Sequence, residues 1–205
     1  MYIVCFDLEG IFTPEIWISI AETTKIDELR LTTRDEPDYD KLMKRRLRLL
    51  RENEITLQNI QNIIAQMELL PGAKSFMRWI RSVAQVAIIT DNYKEFLRPF
   101  MKKLNYPLTF CHHLEIDNIN GMIINYHLTI KDMKRKAIQT FKIMNYNIVA
   151  VGDSYNDIEM LKEAEFGIFF RPPENVVKDF PEFPVVNEYS DLRKLLANHM
   201  GLSVN

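Results

Sequence analysis

The sequence predicts an α/β protein: a parallel, Rossmann-like sheet core, a small helical cap inserted after the first strand, and a β-hairpin. Three observations carry this expectation. Apolar runs rich in β-formers recur at Tyr2–Phe6, Gln85–Thr90, Asn147–Val151 and Phe166–Phe170, with helical patterns between them. The stretch from Glu15 to Leu70 holds helical patterns but no strand candidate. Asn120-Gly121 separates two short β-prone runs, a strong hairpin signal.

The first run, Tyr2-Ile3-Val4-Cys5-Phe6, is continuously apolar, as suits a strand buried on both faces. It stops at Asp7-Leu8-Glu9-Gly10. Acidic residues at the C-terminal tip of a buried strand stand where open α/β sheets place their ligands. Pro14 suits a first helical turn, and Glu15 to Ala21 continue as an apolar helix. Thr32–Tyr39 is a polar loop containing Pro37, Lys41–Glu54 is a basic amphipathic helix, and Thr56–Met67 is a further helix. Residues 15–70 are therefore the expected cap, and residues 1–14 with 71–205 the expected catalytic core.

Pro71-Gly72 marks the return to the core. Ala73–Ser82 reads as a helix, Gln85–Thr90 as a strand ending at Thr90 and Asp91, and Asn92–Leu104 as a helix. Short strands follow at Pro107–Cys111, Leu114–Ile116 and Met122–Leu128, then a helix over Lys134–Met144. The strand Asn147–Val151 ends in Gly152-Asp153-Ser154-Tyr155-Asn156-Asp157. A helix over Leu161–Ala164, the strand Phe166–Phe170 and a closing helix over Asp191–His199 complete the pattern.

The chain has 205 residues, 47% apolar and 26% charged, enough for one α/β domain with an insertion. A net charge of −2 gives no field favouring nucleic acid or an anionic membrane. No apolar stretch is long enough to span a bilayer, and Asp7 interrupts any secretory h-region. Cys5 and Cys111 form no metal-binding spacing and read as reduced core residues of a cytoplasmic protein. His112 and His113 are adjacent on a strand and carry no expected chemistry; Trp17 and Trp79 read as core. The sequence carries no signal of oligomeric state.

In a parallel sheet the strand C-termini share one edge, so Asp7, Thr90 and Asp153 converge. That set suits phosphoryl transfer through an aspartyl-phosphate. Mg²⁺ takes a few carboxylates plus the substrate phosphate, which Asp7 and Asp153 supply. Thr90, the neighbouring amides and Lys134 suit the charge on the transferred group. Glu9 suits a general acid that later activates water. Blander readings stand beside these: Thr90 as a plain strand end, Glu15 as a helix N-terminal acid, Asp153 and Asp157 as turn and helix caps.

The ordered set DLEG, Thr90, Lys134 and GDSYND resembles the haloacid dehalogenase superfamily of phosphatases. Glu9 stands where the superfamily's first motif usually has Asp. DLEG followed by PEIW, with TTRDEPDYD and KRRLRLL, resembles a subfamily of bifunctional phosphoserine phosphatases and phosphoserine:homoserine phosphotransferases. The resemblance implies Asp7 as nucleophile and metal ligand, Glu9 as acid/base with its backbone carbonyl on the metal, and Asp153 as the remaining ligand with Asp157 in support. It implies Thr90 and the Asp91 amide on the phosphate, neutralised by Lys134 rather than Lys131 or Lys136. Glu15 would face the substrate ammonium and Arg46 its carboxylate. The expected activity is Mg²⁺-dependent hydrolysis of O-phosphoserine, with transfer to homoserine as a second outcome. Its rivals are a phosphatase of another small phosphomonoester and a phospho-aspartate signalling module.

Overall fold

The computed structural model describes residues 1–32, 35, 36 and 38–202. The expected run forms β1 (Tyr2–Phe6), nearly all of it buried. The chain then builds helical elements: α1 (Ile16–Thr24), a 3₁₀ turn (Asp27–Arg30), α2 (Tyr39–Glu52) and α3 (Leu57–Gln66). Asp38 caps α2 by accepting from the Lys41 amide, and a reciprocal Thr56–Asn59 box caps α3. The expected loop residue Pro37 lies outside the described residues, as do Thr33 and Arg34 of the TTRDEPDYD run.

The core resumes with α4 (Ala73–Val83), β2 (Gln85–Tyr93), α5 (Lys94–Lys103), β3 (Leu108–Ile116) and β4 (Ile123–His127). It continues with α6 (Met133–Ile143), β5 (Asn147–Gly152), α7 (Ile158–Glu163) and β6 (Phe166–Phe170). It closes with α8 (Glu174–Asp179), β7 (Val185–Val186) and α9 (Tyr189–His199). Among the described residues, seven strands form one sheet in the order β4-β3-β2-β1-β5-β6-β7. All neighbours are parallel except β3 and β4, the expected hairpin. The fold is the expected α/β class. No described helix is long and apolar enough to cross a membrane.

Two readings of the sequence need correction. The second strand does not end at Thr90–Asp91, and its helix does not start at Asn92. Pairing with β3 slips between Ile89 and Tyr93, after which Tyr93 pairs with His112. Thr90, Asp91 and Asn92 occupy that irregularity, and α5 begins only at Lys94. The two short strands expected around His112 and His113 are one strand. β3 pairs with β2 through His112, then with β4 through His113 opposite His127, so the adjacent histidines are where it changes partners. The short α8 and β7 carried no periodic signal long enough to be read.

One hydrophobic cluster runs from the sheet into α1, α2 and α3. Val4 and Phe6 of β1 and Val149 and Val151 of β5 pack together with Ile16, Leu47, Leu50, Ile60 and Ile64 from the helical insertion. The insertion is also tied to the sheet by hydrogen bonds. Tyr126 Oη of β4 donates to Asp40 Oδ1 (2.7 Å), and the Leu57 amide donates to the Gly121 carbonyl (2.9 Å). Tyr39 Oη donates to the Asp91 carbonyl (3.2 Å) and bonds Tyr93 Oη (2.7 Å).

Candidate active site

The C-terminal tips of the three central strands converge as topology requires. Asp7 follows β1, Thr90 lies near the end of β2, and Asp153 follows β5. Oxygens of Asp7, Asp153 and Asp157 lie within 4.8 Å of one another. Two glycines allow this crowding. A Cβ on Gly10, which has φ +71°, would collide with Asp153 Oδ2, and one on Gly152 would collide with Asp157 Cβ.

Lys134 enters from the first turn of α6 and is buried among these acids. Its Nζ lies 2.8 Å from Asp157 Oδ1, 3.2 Å from Asp7 Oδ1 and 3.6 Å from Asp91 Oδ2. Lys131 and Lys136 are exposed. Burial lowers the Lys134 pKa, but the three carboxylates outweigh it and hold the ammonium well above the usual lysine range. One cation does not neutralise this cluster. Burial pushes the Asp7 carboxyl well above the usual range against the pull of Lys134, with help from Asp157, Asp153 and Asp91. Burial, Asp157 and Glu15 push Asp153 up to about 7.

Such a set fits a hard divalent cation: the donors are all oxygens, close-set and short of positive charge. Asp157 is already committed. Its Oδ1 accepts from Lys134, and its Oδ2 accepts from the amides of Asp153 (2.9 Å) and Ser154 (3.1 Å). It therefore caps the turn and orients both Lys134 and Asp153, which leaves Asp7 and Asp153 as the carboxylates open to a metal.

Glu9 turns away from this cluster. Its Oε1 accepts from the Ile16 amide at the start of α1 (2.5 Å), and its Oε2 accepts from Asn92 Nδ2 (2.7 Å). Burial and the charge of Glu15 hold its carboxyl up to about 8 despite these bonds. The Glu9 side chain is thus no part of the acidic cluster, consistent with only its backbone carbonyl being expected at a metal. Glu15 is half-buried beside α1, near enough for its charge to act on both Glu9 and Asp153.

Asp91 is held by several partners. Asn156 Nδ2 donates to its Oδ2 (3.1 Å), and His112 Nε2 lies 3.6 Å from its Oδ1. Its burial opposes ionisation, but Lys134, His112 and Asn156 outweigh that and keep its carboxyl below the usual range. His112 is buried and accepts the Thr129 amide at Nδ1. It therefore stands behind the Thr90–Asn92 irregularity, a place its neighbour in sequence gave no reason to expect.

Arg46 is 6% exposed. Its guanidinium lies 4.3 Å over the Trp17 ring and donates to the Leu31 carbonyl (2.8 Å), while its Nε has no hydrogen-bond partner among the described residues. Burial lowers its pKa against the opposing charges of Tyr39, Glu9, Tyr93 and Glu15. Trp17 is core, as expected, but it is also the platform on which Arg46 rests. Trp79 does the same for Arg193, 5.0 Å from its ring. Asn92, Tyr39 and His112 are the polar residues around the site that sequence reasoning missed. Each is recruited by the β2 irregularity or by packing between distant elements.

Comparison with known proteins agrees with this geometry. A family described as haloacid dehalogenase-like hydrolase matches residues 4–165. The phosphoserine phosphatase ThrH of Pseudomonas aeruginosa is 48% identical over 206 residues, covering 100% of both chains. A phosphoserine phosphatase of Pseudomonas syringae pv. tomato is 47% identical over 192 residues, covering 94% of this chain and 81% of that one. Among solved structures, a phospho-aspartyl intermediate analogue of phosphoserine phosphatase shares the fold. It has a TM-score of 0.76 at 19% identity, covering 96% of this chain and 98% of that one.

Proposed function

The chain belongs to the haloacid dehalogenase-like hydrolase family, an enzyme family, and on that premise we propose that it is a Mg²⁺-dependent phosphatase of O-phosphoserine working through an aspartyl-phosphate on Asp7. The observation that carries this reading is the Lys134 ammonium 3.2 Å from a buried Asp7 at the tip of the central strand. Support comes from the long similarity to two proteins named as phosphoserine phosphatases, one matched over its full length and the other over 81% of it.

An Asp7 oxygen forms a bond to phosphorus as the ester P–O bond breaks. Glu9 gives its proton to the departing serine oxygen. A carboxyl held up to about 8 retains that proton near neutral pH. Glu9 then takes a proton from water, whose oxygen attacks phosphorus and returns Asp7 as a carboxylate. Thr90 and the Asp91 amide hold the transferring group, and Lys134 balances its charge. Asp7, Asp153 and the Glu9 backbone carbonyl would hold Mg²⁺, which would supply the remaining neutralisation. Residues 15–70 form the cap. Arg46 reads the substrate carboxylate through its Nε edge, which has no partner among the described residues, and Glu15 reads the ammonium. The free thiols Cys5 and Cys111 suit a reducing, cytoplasmic setting.

The finer proposal is that homoserine accepts the phosphoryl group from Asp7. Its support is the resemblance alone, carried by DLEG followed by PEIW, with TTRDEPDYD and KRRLRLL. The test is phosphate release from L-phosphoserine with Mg²⁺, with and without homoserine, and Asp7→Asn as control. Phosphohomoserine formed with homoserine present supports transfer. Free phosphate alone leaves a hydrolase. Turnover of an aryl phosphate but not phosphoserine discards the roles given to Glu15 and Arg46. A stable phosphoprotein without turnover would favour the signalling alternative.

A further inference from the structure

We propose that Asn92 is a positioning residue that sets the Glu9 carboxyl for proton transfer to the leaving group. The inference rests on the acid/base reading of Glu9 just given. Asn92 is 4% exposed and sits in the irregularity of β2, where the slipped pairing turns its side chain toward the first strand's loop. Its amide nitrogen carries two protons. Nδ2 lies 2.7 Å from Glu9 Oε2 and 3.3 Å from Thr90 Oγ1. The Asn92 backbone amide also donates to Thr90 Oγ1 (3.3 Å). Thr90 thus steadies Asn92 from behind, and Asn92 holds Glu9 in front.

A glutamate needs this anchor more than an aspartate would. It has one more rotatable bond and so more conformations from which no proton reaches the ester oxygen. The Ile16 amide fixes one carboxyl oxygen at the start of α1, and Asn92 fixes the other. Together they leave the carboxyl a single orientation, which preorganises proton transfer without Asn92 touching the substrate.

The distinguishing readout is the leaving group. Serine departs as a poor leaving group and needs the Glu9 proton, whereas p-nitrophenolate departs without it. The enzyme with Mg²⁺, Asn92→Ala, Asn92→Ser and Glu9→Gln are assayed with phosphoserine and with p-nitrophenyl phosphate. The parameter compared is kcat/KM, which ends at the aspartyl-phosphate. Thermal melting checks that each variant folds, and the smaller change to Ser covers a failure of Ala. The expected result is a loss of about 10- to 100-fold for phosphoserine in both Asn92 variants, with the aryl phosphate losing about threefold or less. Glu9→Gln should show the same split, larger. Equal losses on both substrates, or no loss, while Glu9→Gln keeps its split would overturn the role of Asn92 and leave the proposed function standing. No split in Glu9→Gln would overturn the acid/base reading itself, and the role of Asn92 with it.

Discussion

The Lys134 ammonium stands 2.8 Å from the Asp157 carboxylate, and Asp157 is wholly buried. This pair is the electrostatic keel of the site. Lys134 reaches Asp7 from the same position, and the other Asp157 oxygen holds the turn that presents Asp153.

Asp157→Ala leaves Lys134 without its nearest partner and frees two amides. It should destabilise the fold by about 3 kcal/mol, since breaking a buried pair strands the remaining charge. Denaturant unfolding measures this. Activity should fall with it, because Lys134 and Asp153 both lose their orientation. A variant with unchanged stability would remove Asp157 from the centre of the site.

Gly10→Ala places a methyl group against Asp153 Oδ2 at a backbone φ of +71°. Asp153 must move aside. The Mg²⁺ concentration giving half-maximal activity should rise about tenfold or more, as it does when the orientation of a metal ligand is lost. A Mg²⁺ titration of phosphatase activity reads this directly, and an unshifted midpoint would count against Asp153 as a ligand.

Metal-free protein should show an unusual dependence of stability on pH. Asp153 is raised from 3.8 to about 7 in the fold. A raised carboxyl binds its proton better folded than unfolded. The destabilisation from its ionisation is therefore complete above about 7 and relieved as pH falls toward 4. Mg²⁺ competes with that proton, so added Mg²⁺ should raise Tm more at about pH 8 than at about pH 5. Thermal melts with EDTA and with Mg²⁺ at both pH values test the sign.

Arg46→Ala should raise KM for phosphoserine by about 10- to 100-fold, the worth of one or two charge-assisted hydrogen bonds. Arg46→Lys should recover little, because an ammonium neither lies flat on Trp17 nor pairs bidentately with a carboxylate. Steady-state kinetics against a phosphomonoester without a carboxylate gives the comparison. Equal losses on both substrates would assign Arg46 to packing in the insertion.

The backbone-level features were legible because they are written in short, local patterns. A continuous apolar run ending in Asp7 and a second ending in Gly152-Asp153 announce their own sheet edge. Lys134 was offered by its place at a helix start, but its choice over Lys131 and Lys136 came through the resemblance; the structure buries Lys134 among three carboxylates and leaves the other two exposed. The role of Asn92 was not legible. A strand pattern shows period and length, but a slipped register between Ile89 and Tyr93 depends on what β3 offers opposite. The direction of Glu9 was hidden for a similar reason. Its partners, Ile16 and Asn92, are 76 positions apart in sequence, one at the start of α1 and the other in the β2 irregularity. The seat of Arg46 on Trp17 likewise joins two helices that no periodicity relates.

The central strand has a kinetic consequence. β1 pairs Ile3 with Gln85 on one side and with Ile148 on the other. The catalytic edge therefore cannot assemble from neighbouring segments; it waits for contacts that close very long loops. During synthesis the apolar segment Tyr2–Phe6 emerges well before either partner, with both edges open. Refolding should accordingly be slow for a chain this rich in helix, and most prone to aggregate before β5 has docked.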